Sequence, residues 1–281
     1  MSTIQNDAAT APTQYINVNG INYAYRRFGN ASEIPVVGFQ HFTGTLDNWD
    51  PIILNGFAQE REVIIFDNTG IGNTSGETPD NVLDMTHDAV DFIKALGITR
   101  IDVLGFSLGG FIAQYLGVLY PDLVRKLIIV GAAPQDSKVL EGFPQLIGKA
   151  MQKEPAERFL YIFFTASDES RTKGQATLQR LFARTEDRAA ESTDQAVMAQ
   201  LTAITRWGTD PVTIDLKTIP HPTLIIQGSN DEMMDSDNSY VLFKQLPNAI
   251  LTYYPDAAHG SFYQYPELFV NQANDFLNNF K

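Results

Sequence analysis

The first half of the chain alternates between two patterns of apolar side chains, one typical of strands and one typical of helices. Residues 15–29 alternate apolar and polar positions around Asn19-Gly20, a pair that favours a tight hairpin turn. Apolar residues spaced by three or four then predict helices at 49–59, 82–98 and 107–120. Short uninterrupted apolar runs between them predict buried strands at 34–40, 61–67, 101–105 and 124–132.

The pattern changes at residue 134 and changes back near residue 217. Between them no strand pattern is convincing, whereas PAERFLYIFFT and DQAVMAQLTAITRW have apolar residues at helical spacing. Afterwards, apolar patterns predict strands at 222–228 and 249–255 and helices at 237–246 and 263–280. Strands that alternate with helices after an opening hairpin predict an α/β fold with a mostly parallel, doubly wound sheet. We therefore expect three parts: a core of residues 15–133 and 217–281, a helical cap of residues 134–216, and a loose polar tail of residues 1–14.

A serine stands where the strand at 101–105 passes into the following helix. The stretch GFSLGG contains the pattern G-x-S-x-G, which at a strand-to-helix turn is the arrangement of a nucleophile elbow. Gly105 and Gly109 leave room for a strained backbone, and the helix directs its positive end at Ser107. A tight turn that needs only small residues is the simpler interpretation. The other loops at the same edge of the sheet decide between the two.

A serine nucleophile needs a base, and the chain has 4 histidines, at positions 41, 87, 221 and 259. After an elbow serine the acid and then the histidine follow along the chain, which leaves His221 and His259. His221 begins a strand, so it lies roughly 20 Å from that strand's carboxyl end at ~3.3 Å per residue. His259 instead follows the last strand, in DAAHG. Because ligands bind at the carboxyl ends of parallel strands, we predict that His259 is the base.

The acid that orients the histidine should also follow a strand at this edge. Asp231 is the best placed, because it lies in GSND directly after the strand at 222–228. Three other aspartates remain rivals: Asp235, Asp237 and Asp136. Asp231 is within side-chain reach of a histidine on the neighbouring loop, whereas Asp136 lies beyond a proline at the start of the cap. We therefore predict that Asp231 is the acid.

The loop QHFTGT, which follows the strand at 34–40, is expected to complete the site. The backbone N–H of Phe42 and that of Leu108 in the elbow are the expected donors to a developing oxyanion. His41 is interpreted as a structural hydrogen-bonding residue rather than as a base. The elbow and this loop thus predict an oxyanion hole beside Ser107.

These stretches resemble the α/β-hydrolase superfamily over most of the chain. GFSLGG, GSND and DAAHG occur in the family's order and spacing, and FDNTGIGNTSG is similar to its Asp-x-x-Gly-x-Gly-x-Ser stretch. Two details depart from the family. Asn-Thr stands where an Arg-Gly-like pair is common, and His41-Phe42 stands where many members have His-Gly, so the Phe42 side chain should narrow the pocket. The resemblance implies a catalytic triad of Ser107, Asp231 and His259.

Composition narrows the function classes further. The net charge of −13 disfavours nucleic acid as a partner and argues mildly against anionic substrates and membranes. The chain has no cysteine, no apolar run of membrane-spanning length and no secretory signal pattern, which together fit a cytoplasmic protein. Scattered histidines predict no metal site, and the glycine spacing in GIGNTSG does not fit a dinucleotide site. We therefore expect no cofactor and a small-molecule substrate.

The residues together predict a serine hydrolase that cleaves a small, largely apolar ester or lactone through an acyl-enzyme. The 18 Phe and 11 Tyr suggest an aromatic pocket. The expected substrate contacts are Phe106, Phe163, Met198 and Trp207. Thioesterases, C–C bond hydrolases and cofactor-free haloperoxidase-type perhydrolases use the same triad and remain alternatives. A non-catalytic small-molecule receptor of the same fold is the alternative from another class.

Overall fold

An eight-stranded sheet forms the centre of the computed structural model, which describes residues 7–281. The strands are β1 Gln14–Val18, β2 Ile21–Gly29, β3 Val36–Phe39, β4 Glu62–Phe66, β5 Ile101–Phe106, β6 Val124–Val130, β7 Thr223–Gly228 and β8 Ala249–Tyr254. Their spatial order is β1-β2-β4-β3-β5-β6-β7-β8. Of these eight strands, β2 alone runs against the common direction. The predicted mostly parallel sheet is confirmed.

Ten α-helices accompany the sheet within the described residues. They are α1 Pro51–Ala58, α2 Val82–Ala95, α3 Leu108–Leu119, α4 Phe143–Met151, α5 Pro155–Phe163, α6 Asp168–Leu181, α7 Asp194–Thr209, α8 Asp237–Gln245, α9 Ser261–Gln264 and α10 Pro266–Asn279. Four of them, α4 to α7, fall in residues 134–216, and that fully described segment contains no strand. We call this segment the cap.

Helices cover both faces of the sheet, which explains why its central strands are buried and largely apolar. Every residue of β5 and of β7 is buried. One face packs against α2 and α3, with Phe92 and Phe111 in its core, and the other packs against α1 and α10, where Phe57 meets Phe269. The middle of the sheet is therefore a rigid platform for the loops at its edge.

The chain reverses its direction of winding between β3 and β5. From β3 it moves outward to β4, and it then returns to the other side of β3 to form β5. Crevices at such reversal points, outside the carboxyl ends of the strands, are where open α/β sheets bind ligands. The loop that contains Phe42 and the turn that contains Ser107 leave these two neighbouring strands.

Residues 7–13 correct the expectation of a loose N-terminal tail, while residues 1–6 lie outside the described part of the chain. Ala11 is fully buried, and the Ala8 N–H donates to Asn55 Oδ1 at 2.8 Å. The guanidinium of Arg184 in the cap donates to the carbonyl oxygens of Ala9 and Ala11. These contacts satisfy the backbone of the segment and fix it against α1 and the cap.

The last predicted helix is also corrected, because residues 263–280 are divided between α9 and α10. Pro266 is the first residue of α10. Proline has no N–H with which to continue the preceding helix, but its fixed φ suits the first position of the next one. The chain therefore turns at Tyr265.

Buried polar contacts join the cap to the core. Arg180 on α6 makes a bidentate contact with the fully buried carboxylate of Asp50, with N···O distances of 2.9 and 2.6 Å to Oδ2 and 3.0 Å to Oδ1. The hydroxyls of Thr165 and Ser167 donate to Asp256, in the loop after β8, at 2.7 and 2.5 Å. These contacts hold α5 and α6 over the carboxyl edge of the sheet.

Candidate active site

Ser107 lies at the turn between β5 and α3 in a backbone conformation that is rare for residues other than glycine. Its φ is 55° and its ψ is −113°, a strained geometry that costs of the order of 1–3 kcal/mol. A Cβ on Gly105 would lie 2.4 Å from the Gly109 carbonyl oxygen, and one on Gly109 would lie 2.0 Å from that of Phe39. Only glycine therefore lets the turn and α3 approach β3 this closely.

The His259 ring lies over the end of β6, next to the serine. The Ser107 N–H donates to the Val130 carbonyl, so Gly131 is the neighbour of Ser107 across the sheet. A Cβ on Gly131 would lie 3.2 Å from His259 Cε1 and Nδ1, and the ring centroids of Phe106 and His259 are 5.1 Å apart. The predicted nucleophile and the predicted base therefore lie side by side at the carboxyl edge.

The Asp231 carboxylate is buried and receives four hydrogen bonds. Oδ2 accepts from His259 Nδ1 at 2.8 Å and from Gln227 Nε2 at 3.0 Å, while Oδ1 accepts the N–H groups of Met233 and Met234 at 2.9 and 3.0 Å. Burial acts to raise the pKa of Asp231, but the charge and hydrogen bond of His259 and the two N–H groups bring it below its usual value. An ionised Asp231 can only accept, so His259 Nδ1 carries the proton and Nε2 is free to accept one.

Backbone hydrogen bonds join the loop after β7 to the loop after β8. They bring Asp231 and His259 within hydrogen-bonding distance of each other. Ser229 N–H donates to the Tyr254 carbonyl at 3.0 Å, and Asn230 N–H donates to the Ala257 carbonyl at 2.9 Å. A Cβ on Gly228 would lie within 2.3 Å of the Ala257 and Ala258 carbonyl oxygens. A glycine at the end of β7 is thus needed for the two loops to meet.

The rival residues lie elsewhere. Asp136 is exposed and pairs with Lys138 at 2.6 Å, and the side chains of Asp235 and Asp237 are also exposed. His221 is buried just before the amino end of β7, at the opposite end of the sheet from His259. Burial, followed by the nearby charge of Arg100, lowers the pKa of His221. Of the candidates from the sequence, Asp231 and His259 are the pair that meets at the carboxyl edge.

Both groups predicted for the oxyanion hole lie beside this edge. The Leu108 N–H belongs to the first residue of α3, where no intrahelical acceptor exists. Within residues 7–281 the Phe42 N–H has no protein acceptor, and the Phe42 ring packs edge-on against Phe143 of α4 at 5.6 Å. Phe42 thus leaves its N–H free and directs its side chain to the cap.

His41 acts within the loop rather than as a base. Its Nδ1 lies 2.8 Å from the Phe42 carbonyl oxygen, so Nδ1 carries a proton and donates it. The ring packs against Phe106 and Phe163, with centroids 5.3 and 5.2 Å apart. Burial lowers the pKa of His41 to about 4; the Phe42 carbonyl opposes the shift and His259 adds to it. His41 is therefore neutral at pH 7.

Three of the four predicted substrate contacts are buried, and the fourth corrects the prediction. Phe106 and Phe163 pack on the His259 ring, Phe163 in a stacked arrangement at 5.9 Å. Trp207 stacks on Phe111 and donates from Nε1 to the Ala133 carbonyl, deep between the cap and α3. Met198 is 58% exposed, because it lies on the side of α7 opposite the buried face that contains Trp207. Met198 therefore does not line a pocket beneath the cap.

Two glutamines near the site were not predicted. Gln227 bridges Asp231 and the Ser239 hydroxyl, and a glutamine near the carboxyl end of an otherwise apolar strand is a signal for such a role. Gln200 of α7 is fully buried and accepts the Thr43 N–H at 2.6 Å. Gln200 is four residues from both Ala196 and Ile204, so helical spacing places it on the buried face of α7, but that spacing does not identify Thr43 as its partner.

The fold and site place the chain in the α/β-hydrolase class, and comparison with known proteins agrees. The model of the alpha/beta hydrolase fold family matches residues 35–266, so the chain belongs to that family and is an α/β-hydrolase enzyme. The chain is 64% identical to an alpha/beta hydrolase fold protein from Chitinophaga pinensis, with a TM-score of 0.97 over 98% of this chain and 100% of that one.

Two relatives with more specific names are more distant. A 2-hydroxymuconate semialdehyde hydrolase from Pseudomonas sp. (strain CF600) is 26% identical over 82% of this chain and 81% of its own length. The structure of the enol-lactonase from Burkholderia xenovorans LB400 has a TM-score of 0.76 at 20% identity, covering 95% of this chain and 100% of that one. At this identity the second comparison shows the shared fold.

In the described part of the chain, no group of three or more His, Asp or Glu side chains is arranged to hold a metal ion. None of the helices in residues 7–281 has the length and apolar character to cross a bilayer.

Proposed function

We propose that the protein hydrolyses small, largely apolar carboxylic esters or lactones through an acyl-enzyme on Ser107. The observation that carries the proposal is the buried contact between His259 Nδ1 and Asp231 Oδ2, with the imidazole ring over Gly131 next to Ser107. This contact leaves His259 Nε2 unprotonated and able to accept the proton of a nucleophile. The strained turn at Ser107 has the geometry with which a nucleophile elbow offers its serine hydroxyl to a substrate.

The reaction proceeds in two halves. Ser107 Oγ attacks the carbonyl carbon while His259 Nε2 takes the hydroxyl proton, and the N–H groups of Phe42 and Leu108 stabilise the oxyanion. The bond to the alkoxide then breaks as His259 returns the proton to the leaving oxygen. Water, deprotonated by His259, attacks the acyl-enzyme, and the proton passes to Ser107 Oγ as the acid is released. Asp231 stabilises the imidazolium in both halves.

An apolar substrate suits the surroundings of the histidine. The rings that pack against it are those of Phe106 and Phe163, and the nearby His41 is neutral at pH 7. A substrate carboxylate buried against these groups would lack a cationic partner there, at a cost of several kcal/mol. The neutral surroundings favour an ester or lactone over the anionic substrates that some hydrolases cleave.

The test is a screen of the purified protein against aryl esters of graded acyl length, lactones and thioesters, with Ser107→Ala as the control. We expect ester or lactone turnover, a loss of at least ~10³ in kcat for Ser107→Ala, and stoichiometric labelling of Ser107 by a fluorophosphonate. Labelling at another residue together with loss of activity would refute the assignment. Binding of these compounds without turnover would favour the receptor alternative.

A further inference from the structure

The peptide between Phe42 and Thr43 is held at both of its polar groups. Its carbonyl accepts from His41 Nδ1 at 2.8 Å, and its N–H donates to Gln200 Oε1 at 2.6 Å. His41 belongs to the same loop, whereas Gln200 comes from α7 of the cap. A cap residue thus makes a direct contact with the loop expected to form the oxyanion hole.

Thr43 has an unfavourable backbone conformation, which contacts with its neighbours must stabilise. Its φ is 59°, in the left-handed region that β-branched residues rarely adopt. The cap supplies contacts on both sides, because Gln200 accepts the Thr43 N–H and the hydroxyl of Ser192 donates to the Thr43 carbonyl at 3.2 Å. The cap therefore stabilises the turn in the conformation that sets the direction of the loop.

The peptide that carries the Phe42 N–H lies between two fixed neighbours. On one side the His41 N–H donates to Gln40 Oε1 at 2.9 Å, which fixes the preceding peptide. On the other side Gln200 and His41 fix the peptide that follows. With both neighbours held, and with the His41 carbonyl of the same peptide accepting the Gly44 N–H at 2.9 Å, the Phe42 N–H has little freedom to turn away from the crevice. Gln200 is the part of this arrangement that the cap contributes.

We propose that Gln200 is a positioning residue through which the cap holds the Phe42 N–H in the direction that an oxyanion requires. The inference rests on the proposed function and adds a cap residue to it. Oxyanion donors act by being oriented before the charge develops, so a displaced Phe42 N–H should slow the reaction with little effect on substrate binding. The cap would then contribute to catalysis as well as to the enclosure of the substrate.

The second polar atom of Gln200 argues that the residue serves more than packing. Gln200 Nε2 is buried and has no hydrogen-bond partner within residues 7–281. A buried amide donor without an acceptor is unfavourable, and an apolar side chain of similar length would avoid that cost. Such an apolar side chain would, however, provide no acceptor for the Thr43 N–H.

Gln200→Met keeps the length of the side chain and removes the acceptor, and Gln195→Met is the matched control. Gln195 lies on the same helix and also joins the cap to a core backbone, with contacts of 3.4 and 3.2 Å to Thr78, away from the oxyanion loop. For aryl ester hydrolysis we expect Gln200→Met to lower kcat roughly ten- to hundredfold. KM should change less than about twofold, and the Ki of an aryl trifluoromethyl ketone should rise by about the factor by which kcat falls.

Gln195→Met should leave all three constants within about twofold of the wild type. Full activity of Gln200→Met, or equal effects of both variants on kcat, would overturn the inference.

Amide hydrogen exchange and the ¹⁵N shift of Phe42 provide a readout that does not need turnover. An unchanged Phe42 amide in Gln200→Met also refutes the inference. A wild type that neither turns over esters nor reacts with a fluorophosphonate refutes the proposed function instead, and the Phe42 amide still decides whether Gln200 positions the loop.

Discussion

Two buried aspartates follow strands of the sheet at the same edge, and they differ in what surrounds them. Asp67 follows β4 and accepts the N–H groups of Leu46 and Asn73 at 2.7 and 3.0 Å. Asp231 follows β7 and likewise accepts two backbone N–H groups, on Oδ1. In addition, Asp231 accepts from the imidazole of His259 and from Gln227 Nε2, and neither contact has a counterpart among the hydrogen bonds to the Asp67 carboxylate.

This difference places the pKa values of the two carboxyls on opposite sides of the usual value. Burial raises the pKa of Asp67 to about 7, against the N–H groups of Asn73 and Leu46 and the charge of Arg26, and with the help of Asp47. Asp231 is equally buried, but its contact with His259 brings its pKa down. Burial and backbone N–H groups alone therefore do not produce an anionic carboxylate here. The contact with His259 is the largest favourable influence on the Asp231 carboxylate, and Asp67 has no such partner.

Removal of the histidine should have the largest effect. We expect His259→Ala to lower kcat for ester hydrolysis by at least ~10³, because Ser107 then lacks its base. His221→Ala is the control, since His221 lies at the amino end of β7. Steady-state kinetics of both variants measure the contrast, and comparable losses would show that the two ends of the sheet are not functionally distinct.

The carboxylates themselves provide the next test. Asp231→Asn should lower kcat by roughly 10²–10⁴, because an amide cannot hold the imidazole in the same tautomer. Asp67→Asn should change kcat less than about tenfold, as should Asp136→Asn, Asp235→Asn and Asp237→Asn. An active Asp231→Asn, with one of the others inactive, would transfer the role of acid to that position.

Local sequence predicted the parts of this site that local structure determines. GFSLGG specifies its own turn, because only glycine fits at positions 105 and 109. His259 and Asp231 could be chosen from their rivals because the ends of β7 and β8 follow from two short apolar runs. Where a strand ends decides which edge of the sheet a loop joins, and the sequence contains that information.

Contacts between the cap and the core could not be predicted in this way. Met198 is apolar and looked like a pocket residue, but it lies about 200° around α7 from Gln200 at 100° per residue. The buried face of α7 includes Ile204 and Trp207 at helical spacing, but that pattern does not show which core residue the polar Gln200 contacts. The packing of Arg184 on residues 9–11 similarly depends on two segments far apart in sequence.

A smaller effect is expected where the cap meets the histidine. Phe163 stacks on the His259 ring, so Phe163→Ala should open space for longer acyl chains. We expect the ratio of kcat/KM for long and short aryl esters to rise roughly tenfold, the scale of a change of one to a few methylene groups in an apolar pocket. Met198→Ala, on the exposed side of the cap, is the control and should leave the ratio within about twofold. An unchanged ratio in Phe163→Ala would mean that the acyl chain lies elsewhere.

The last expected effect is on stability rather than on turnover, and it tests the comparison of the two aspartates directly. Because folding raises the pKa of Asp67 from 3.8 to about 7, its contribution to stability is complete below pH 3.8 and is lost as the pH rises to about 7. The slope is at most about 1.4 kcal/mol per pH unit, the limit for one proton. Asp231 has a lowered pKa, so its contribution is present above pH 3.8 and is lost only as the pH falls further.

Urea unfolding of the wild type, Asp67→Asn and Asp231→Asn between pH 5 and 8 measures both contributions. The free energy of unfolding of the wild type minus that of Asp67→Asn should fall as the pH rises through this range. The corresponding difference for Asp231→Asn should stay level over the same range, because Asp231 is ionised in both the folded and the unfolded state. Parallel curves for the two variants would show that the two carboxyls titrate alike, and His259 would then no longer explain a difference between them.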